Sequence, residues 1–507
     1  MTPPKSLTIR LHDADNVIVA RGDIPAGTEI PEENVTCIEN IAFGHKVASA
    51  KIEIGSGILK YGQIIGFAIR DIQAGQHVHT HNIGMKDFKR DYAIGSATSQ
   101  VDYKPDPTTF QGIVRADGRV ATRNYIGVIS TVNCSASVSR FIADAFRGDE
   151  LADYPNVDGI VPICHGMGCA TSGSDEGFEL LLNTIGGYVR HPNFAGVLIV
   201  GLGCEVLQID SLLQNKHLSV SPVLNTMTIQ DIGGTSKTVA EGIRRIQSML
   251  PQANMAKRQP VPADRLILGL QCGGSDGYSG ITANPALGAA VDLLVQHGGT
   301  AVLGETPEIF GAEHLLTRRA ASPEVGQKLI DRIHWWENYT ISHKAEMDNN
   351  PSPGNKAGGL STILEKSLGA AAKGGTTNLM EVYRFAQPIT AKGLVFMDTP
   401  GYDPVSLTGM VAGGANLICF TTGRGSAYGC KPVPVTKLAT NTAMYEKMED
   451  DMDINCGETI DGSATVEMMG DRIFQFILKV ASGKKTKSEG HGVGDSEFVP
   501  WSIGAVM

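Results

Sequence analysis

No stretch of this 507-residue sequence runs apolar for the ~18 residues that a membrane span needs, and its basic tail run, KKTK (484–487), reads as a solvated end. Lys and Arg number 43 against 53 Asp and Glu, the net charge is −10, and the cations are scattered, so neither a membrane nor a nucleic acid is an expected partner. The phosphate-cradling pattern G-x-x-x-x-G-K-[ST] is missing. GGTSKT (233–238) lacks its spacing and GLGCEV (201–206) fails G-x-G-x-x-G, which argues against a nucleotide or flavin cofactor. No C-x-x-C occurs, which removes zinc ribbons and ferredoxin runs. The opening MTPPKSLTIR has no basic stretch followed by an apolar core. With nine Cys, an odd number, the expectation is a reducing compartment, the cytoplasm, in which thiols stay free or bind metal.

Glycine, by contrast, is in excess: 60 residues, about 12% against a usual ~7%. The length predicts several domains, because single cores stop growing near ~250–300 residues. Residues 1–84 read as a small all-β domain of short strands, with D-I-x-A-G turns at 23–27 and 71–75. A polar segment, 85–111, reads as a linker. Over 112–250 the pattern changes to continuous apolar runs (YIGVISTV, VDGIVPI, FAGVLIVGL) alternating with helix-length stretches, as in a parallel sheet covered on both faces. A second polar segment, 251–264, precedes another such series over 265–507 (RLILGLQC, TAVLGE, GLVFMDT, NLICFTT). The expected fold is a multidomain α/β chain: a small β domain and two α/β units with mainly parallel sheets, the last a Rossmann-like variant.

The cysteines and glycines meet at strand ends. Cys134 follows YIGVISTVN, Cys164 and Cys169 lie in PICHGMGC, Cys204 closes VLIVGLGC, and Cys272 opens QCGGSDGYSG. In parallel α/β sheets the loops beyond these ends build the ligand crevice. Any one such cysteine is ordinarily a small buried hydrophobe. Several at Gly-rich turns suit an iron–sulfur cluster, and three ligands on four irons leave one iron open to substrate. Cys134, Cys169 and Cys204 are the expected three, with Cys272 a fourth ligand or a neighbour. A mononuclear Fe²⁺, with Mn²⁺ as a variant, is the rival.

His77, His79 and His81 in QHVHTHN alternate along a predicted strand and so share a face, with His45 elsewhere in the small domain. They suit a metal or general acid–base work, and Lys46 and Asn82 add polar groups for a carboxylate. Three Gly-rich loops of the last domain offer N–H groups with Ser275 and Asp276 (272–280), Lys356 (350–359) and Arg424 (421–429). Such loops are either plain turns or the cradle of an anionic polyhydroxy ligand.

Together with LHDADNV (11–17), GHKVA (44–48), YGQIIGFA (61–68) and ADGRVATRNYIGV (116–128), these motifs span nearly the whole chain in order. They resemble the altronate/galactarate dehydratase family, with an N-terminal domain similar to the SAF-type β-clip. The resemblance implies an iron-requiring hydro-lyase that converts a hexonate or hexarate to a 2-keto-3-deoxy sugar acid, in three domains and as a homodimer. The H-x-H-x-H run leans towards altronate-type members, while ADGRVATRN and VASGKKTK (480–487) are as close to galactarate-type ones. Relatives acting on other 2-hydroxy acids, sulfolactate included, share the scaffold. The expected mechanism places iron at the Cys134/Cys169/Cys204 edge beside His165, with His45 or His79 as acid or base. Arg123 and Asn124, with Lys356 and Arg424, are the expected holders of the substrate's far end. A sugar-acid sensor without catalysis and a thiol-based redox enzyme are the readings from other classes.

Overall fold

The computed structural model of the chain describes residues 6–86 and 90–504; residues 1–5, 87–89 of the expected linker and 505–507 lie outside the described residues. Residues 6–86 form short antiparallel sheets. One runs in the order Thr8–Ile9, Val17–Ala20, Lys46–Ala48, His77–Val78, and a second contains Gly57–Lys60, Gln63–Ala68 and Ile83–Gly84. The two D-I-x-A-G copies fold alike. Ile24 bridges to Ile41 and Ile72 to Ile52, Asp23 accepts from Phe43 N and Asp71 from Ile54 N, and Gly27 and Gly75 take φ of +84° and +81°. The histidine run is shorter as a strand than its alternation predicts. Asn82 accepts from His79 N (2.9 Å) and donates to His77 O (2.8 Å), which turns the chain after Val78.

The second unit carries a parallel sheet in the order Gly159–Ile163, Tyr125–Ser130, Phe194–Gly201, Leu224–Thr228. One face, through Ile126, Val128 and Leu198, packs on the helices Asn133–Asp144 and Thr235–Ala253. The other, through Ile129, Val161 and Ile199, shares a core with Met410 and Val411 of the third unit. Strands covered on both faces are why these runs do not alternate. The segment expected as a linker at 251–264 instead supplies the end of a helix and the strand Arg258–Pro262, which pairs at a sheet edge with Thr109–Val114. Its prolines fit there because an edge strand need not donate outward.

The third unit is built on seven parallel strands: Leu379–Tyr383, Gly393–Met397, Thr300–Leu303, Ile267–Cys272, Leu417–Thr422, Val435–Ala439, Ile454–Asn455. The order reverses at Ile267–Cys272, so the crevice beyond Cys272 and Thr422 is the topological switch point. Residues 90–108 carry neither helix nor strand but are a strap pinned to this unit, with Gly95 N bonded to Thr317 O, Ala97 N to Arg318 O and Lys104 N to Gln296 O.

The small domain docks over that crevice through charge. Lys46 and Lys60 both meet Glu365 of the helix Ile363–Ala371, at 2.8 and 2.9 Å, and all three are buried. Lys46 also donates to Gly359 O (2.7 Å), Lys60 to Gly277 O (3.3 Å), and Ser361 donates twice to the carboxylate. Gly277 and Gly359 have to be glycine, since a β-carbon at either would run into the Gly44 carbonyl oxygen. Burial raises the Glu365 carboxyl, but the two lysines outweigh it and hold it well below the usual range.

Two outcomes follow. Glu365→Gln leaves two ammonium groups buried without a counter-charge, which costs ~3 kcal/mol or more, so hydrogen exchange at the docking face around Gly44, Gly277 and Gly359 accelerates roughly a hundredfold while the α/β units stay folded. Unchanged exchange there would count against this docking. His191, at the junction of the two α/β units, donates through Nε2 to Ala415 O (3.0 Å) and accepts at Nδ1 from Asn193 N (3.2 Å), and burial lowers its pKa from 6.5 to about 4. The unfolded chain takes this proton first as pH falls, so the stabilisation is complete above pH 6.5 and is lost on the way to 4. In His191→Gln, urea unfolding becomes less pH-dependent in that window, by up to about 3 kcal/mol; an unaltered slope refutes the assignment.

Candidate active site

At the switch point the loop after Cys272 turns through Gly274 (φ +63°), whose carbonyl accepts from Gly423 N and Arg424 N at 3.0 and 2.8 Å. This joins the first and third Gly-rich loops. Asn355 ties in the second by donating to Ser275 O (2.8 Å). Asp276 is buried and accepts from Thr440, Asn441 and Ser279, so it braces the loops. The Ser275 hydroxyl is buried without a partner. Arg424 is exposed and lines a cavity of about 320 Å³ with Lys447, Asp276 and Phe43; Lys356 is half-buried on the adjoining turn.

Against these loops stands a histidine cluster. His45 Nε2 faces Ala357 O at 3.3 Å, His45 Nδ1 lies 2.9 Å from His77 Nε2, and a ring nitrogen of each of His45, His77 and His79 lies within 4.8 Å of the other two. His79 Nδ1 is buried without a partner. Burial, together with Lys46 and the neighbouring rings, lowers His77 to about 4 and His79 to about 3, and lowers His45 too, so the imidazoles are neutral near pH 7. Of the four histidines expected together, His81 stays outside this trio, exposed beside His77 with Glu39. Lys46 and Asn82 do not reach open space: Lys46 is spent on Glu365 and Asn82 on the turn.

Below the loops lies a buried polar group that the sequence reading passed over. Cys272 Sγ accepts from Lys373 Nζ (2.8 Å) and faces Glu308 (3.3 Å), Lys373 meets Glu305 (3.1 Å), and Lys366 meets Glu308 (2.7 Å). Glu305 is held at φ +62°, and burial with the neighbouring Glu308 raises its carboxyl; burial also pushes Asp403, bonded to Gln271, up to about 6. Two lysines already compensate the two glutamates, so this set has no need of a metal. The readable signal was charge inside an apolar helix, Glu365 and Lys366 in STILEKSLGAA.

The structure separates the cysteines. Cys134, Cys169 and Cys204 are exposed on the rim of the second unit's sheet, whereas Cys272 belongs to the other sheet and is buried. That removes Cys272 from a shared ligand set. His165 has both ring nitrogens on backbone, Nε2 to Ser130 O and Nδ1 from Met167 N, which makes it a loop brace rather than an acid or base. Arg123 and Asn124 are likewise corrected from substrate binding. Arg123 is buried in a two-bond pair with Glu489 and donates to Val480 O and Lys484 O, while Asn124 donates to Asn156 O and Ala253 O.

The comparisons bear on this arrangement. Residues 6–86 match the altronate/galactarate dehydratase SAF domain, 112–254 the second domain of D-galactarate dehydratase/altronate hydrolase, and 263–506 the C-terminal domain of D-galactarate/altronate dehydratase. The chain is 39% identical to galactarate dehydratase (L-threo-forming) of Escherichia coli (strain K12), over 95% of this chain and 94% of that protein. It is 36% identical to altronate dehydratase of Bacillus subtilis (strain 168), over 95% and 96%. The (2R)-sulfolactate sulfo-lyase subunit beta of Chromohalobacter salexigens is 29% identical over 77% of this chain and 96% of that subunit. With all three units matched in order, the chain belongs to the galactarate/altronate dehydratase family of hydro-lyases.

Proposed function

We propose that the chain dehydrates a six-carbon sugar acid, first an altronate-type hexonate, to a 2-keto-3-deoxy acid at the junction of the histidine cluster and the Gly-rich loops. The observation that carries this reading is the neutral His45/His77/His79 trio set against three hydroxyl- and cation-bearing loops at a sheet switch point. Elimination has to relieve two difficulties, the weak acidity of the C–H beside a carboxylate and the poor leaving ability of hydroxide.

The trio fits a divalent iron, with manganese as a variant. Two nitrogen ligands ~2.1 Å from one ion and at right angles stand ~3 Å apart, close to the 2.9 Å between His45 and His77. The His45 N–H on a backbone carbonyl and the partnerless His79 nitrogen complete a donor set in the neutral form that metals require. Such an ion, when bound, supplies Lewis-acid stabilisation of the charge that builds on the carboxylate. The chain's own part is to bind and to move protons. Lys46 and Lys60 leave one uncompensated positive charge beneath the trio, which favours an anionic guest. The Ser275 hydroxyl is free to bond a substrate hydroxyl, and His81 lies exposed beside His77.

A second substrate, galactarate, is favoured by Arg424 and Lys447 on one cavity, since two cations there suit a second carboxylate.

The test is turnover of altronate and galactarate by the purified protein, followed by the 2-keto-3-deoxy product; no turnover of any hexonate or hexarate refutes the reading. His77→Ala and His79→Ala each lower kcat ~10²-fold or more and abolish its recovery on adding Fe²⁺ after chelation. Arg424→Ala raises KM for galactarate more than for altronate; equal effects on both would remove the second reading.

A further inference from the structure

We propose that Cys134, Cys169 and Cys204 hold an iron–sulfur cluster on the rim of the second unit's sheet, separate from the histidine trio and independent of the reading above. Five of the nine free cysteines are buried, and Cys164 is half-buried with its thiol bonded to Ala136 O. The three exposed ones are those that end three adjacent parallel strands. Cysteine ordinarily behaves as a small buried hydrophobe, so exposure confined to one rim calls for a ligand.

The three loops are locked together beside the thiols. Asn133 N donates to Met167 O (3.0 Å), and Val206 N and Leu207 N both donate to Gly168 O (3.1 and 3.2 Å). Gly168, at φ +96°, is a forced choice, because a β-carbon there would strike the Thr131 carbonyl oxygen. Ala170, next to Cys169, is held at φ +55°, a left-handed conformation that costs a residue with a β-carbon ~1 kcal/mol. Cys169 thus sits between a close backbone approach at Gly168 and a strained residue at Ala170.

Spacing decides the kind of group. Thiolates on one ion at ~2.3 Å lie within ~4.6 Å of each other. Among the described residues the three sulfurs do not all lie within 4.8 Å of one another, and no histidine or carboxylate makes up a single-ion set with them. A cluster, in which each thiolate takes its own iron, accepts the wider spacing. Cys134 also stands in the first turn of the 12-residue helix Asn133–Asp144, where the positive end of the helix dipole favours an anionic sulfur. Three protein ligands leave one iron of a four-iron cluster without one. Beside this rim lies a cavity of about 840 Å³, lined in part by Asn133, Arg140, Met167 and Tyr402, where an oxygen ligand has room.

The experiment is anaerobic preparation of the full chain, reconstitution with Fe²⁺ and sulfide, and measurement of iron, acid-labile sulfide and EPR after reduction. The expected result is about four sulfides and about four irons per chain beyond any held by the histidine trio, with the sulfide and those irons lost in Cys134→Ser, Cys169→Ser and Cys204→Ser but kept in Cys164→Ser and in His77→Ala. Circular dichroism matching the parent confirms that each variant is folded. In the parent chain, iodoacetamide labels the three cysteines before reconstitution and not after. Iron without sulfide, sulfide retained in the three serine variants, or loss in Cys164→Ser overturns the proposal. Iron that disappears only in His77→Ala overturns it while leaving the histidine reading intact.

Discussion

One buried carboxylate between two buried ammonium groups fixes how the molecule is assembled. Glu365 belongs to the large domain and Lys46 and Lys60 to the small one, and neither side tolerates burial alone. Taking charges out of water is repaid only when geometry and further hydrogen bonds are good, and here two carbonyls and Ser361 complete them. The sum is one excess positive charge under the histidines. After burial, the Lys46 ammonium and the neighbouring imidazoles lower the basicity of His77 and His79. Burial at the docked interface, helped by Lys46, thus keeps the imidazoles neutral.

Backbone proximity does the rest of the positioning. Gly277 and Gly359 admit the Gly44 carbonyl, and Gly423 admits the Asp276 carboxylate, so three loops and a turn from another domain meet without side chains between them. The helix Ile363–Ala371 links two layers of charge, because Glu365 faces the docked domain while its neighbour Lys366 faces the buried Cys272 group. Below it the second and third units share one apolar core, with Ile129, Val161 and Ile199 packed in the same cluster as Met410 and Val411.

Much of this was legible in residue order. Non-alternating apolar runs announced both parallel sheets, and the repeated D-I-x-A-G announced two equal turns. The Gly-rich loops at 272–280 and 421–429 follow strand ends, whereas the one at 350–359 lies between helices. What the sequence hid was long-range pairing. Nothing near Arg123 shows that Glu489 will claim it, and the polarity of 251–264 concealed an edge strand whose partner lies about 150 residues away. The histidine alternation pointed to the right cluster by the wrong route. Only His77 is on a strand, and it is the Asn82 turn that returns His79 to His45. The strands Leu379–Tyr383 and Val435–Ala439 escaped notice because charged Glu381 and Lys437 interrupt their apolar pattern.

The pinned strap at 90–108 has a kinetic consequence. A domain on a loose tether of that length would sample a wide volume between dockings, whereas here the strap is fastened to the receiving surface from Gly95 onward. Its effective concentration at the crevice stays high, so an undocked small domain returns faster than solvent-borne competitors can occupy its place. Opening for substrate exchange then amounts to a brief local excursion rather than a separation of domains.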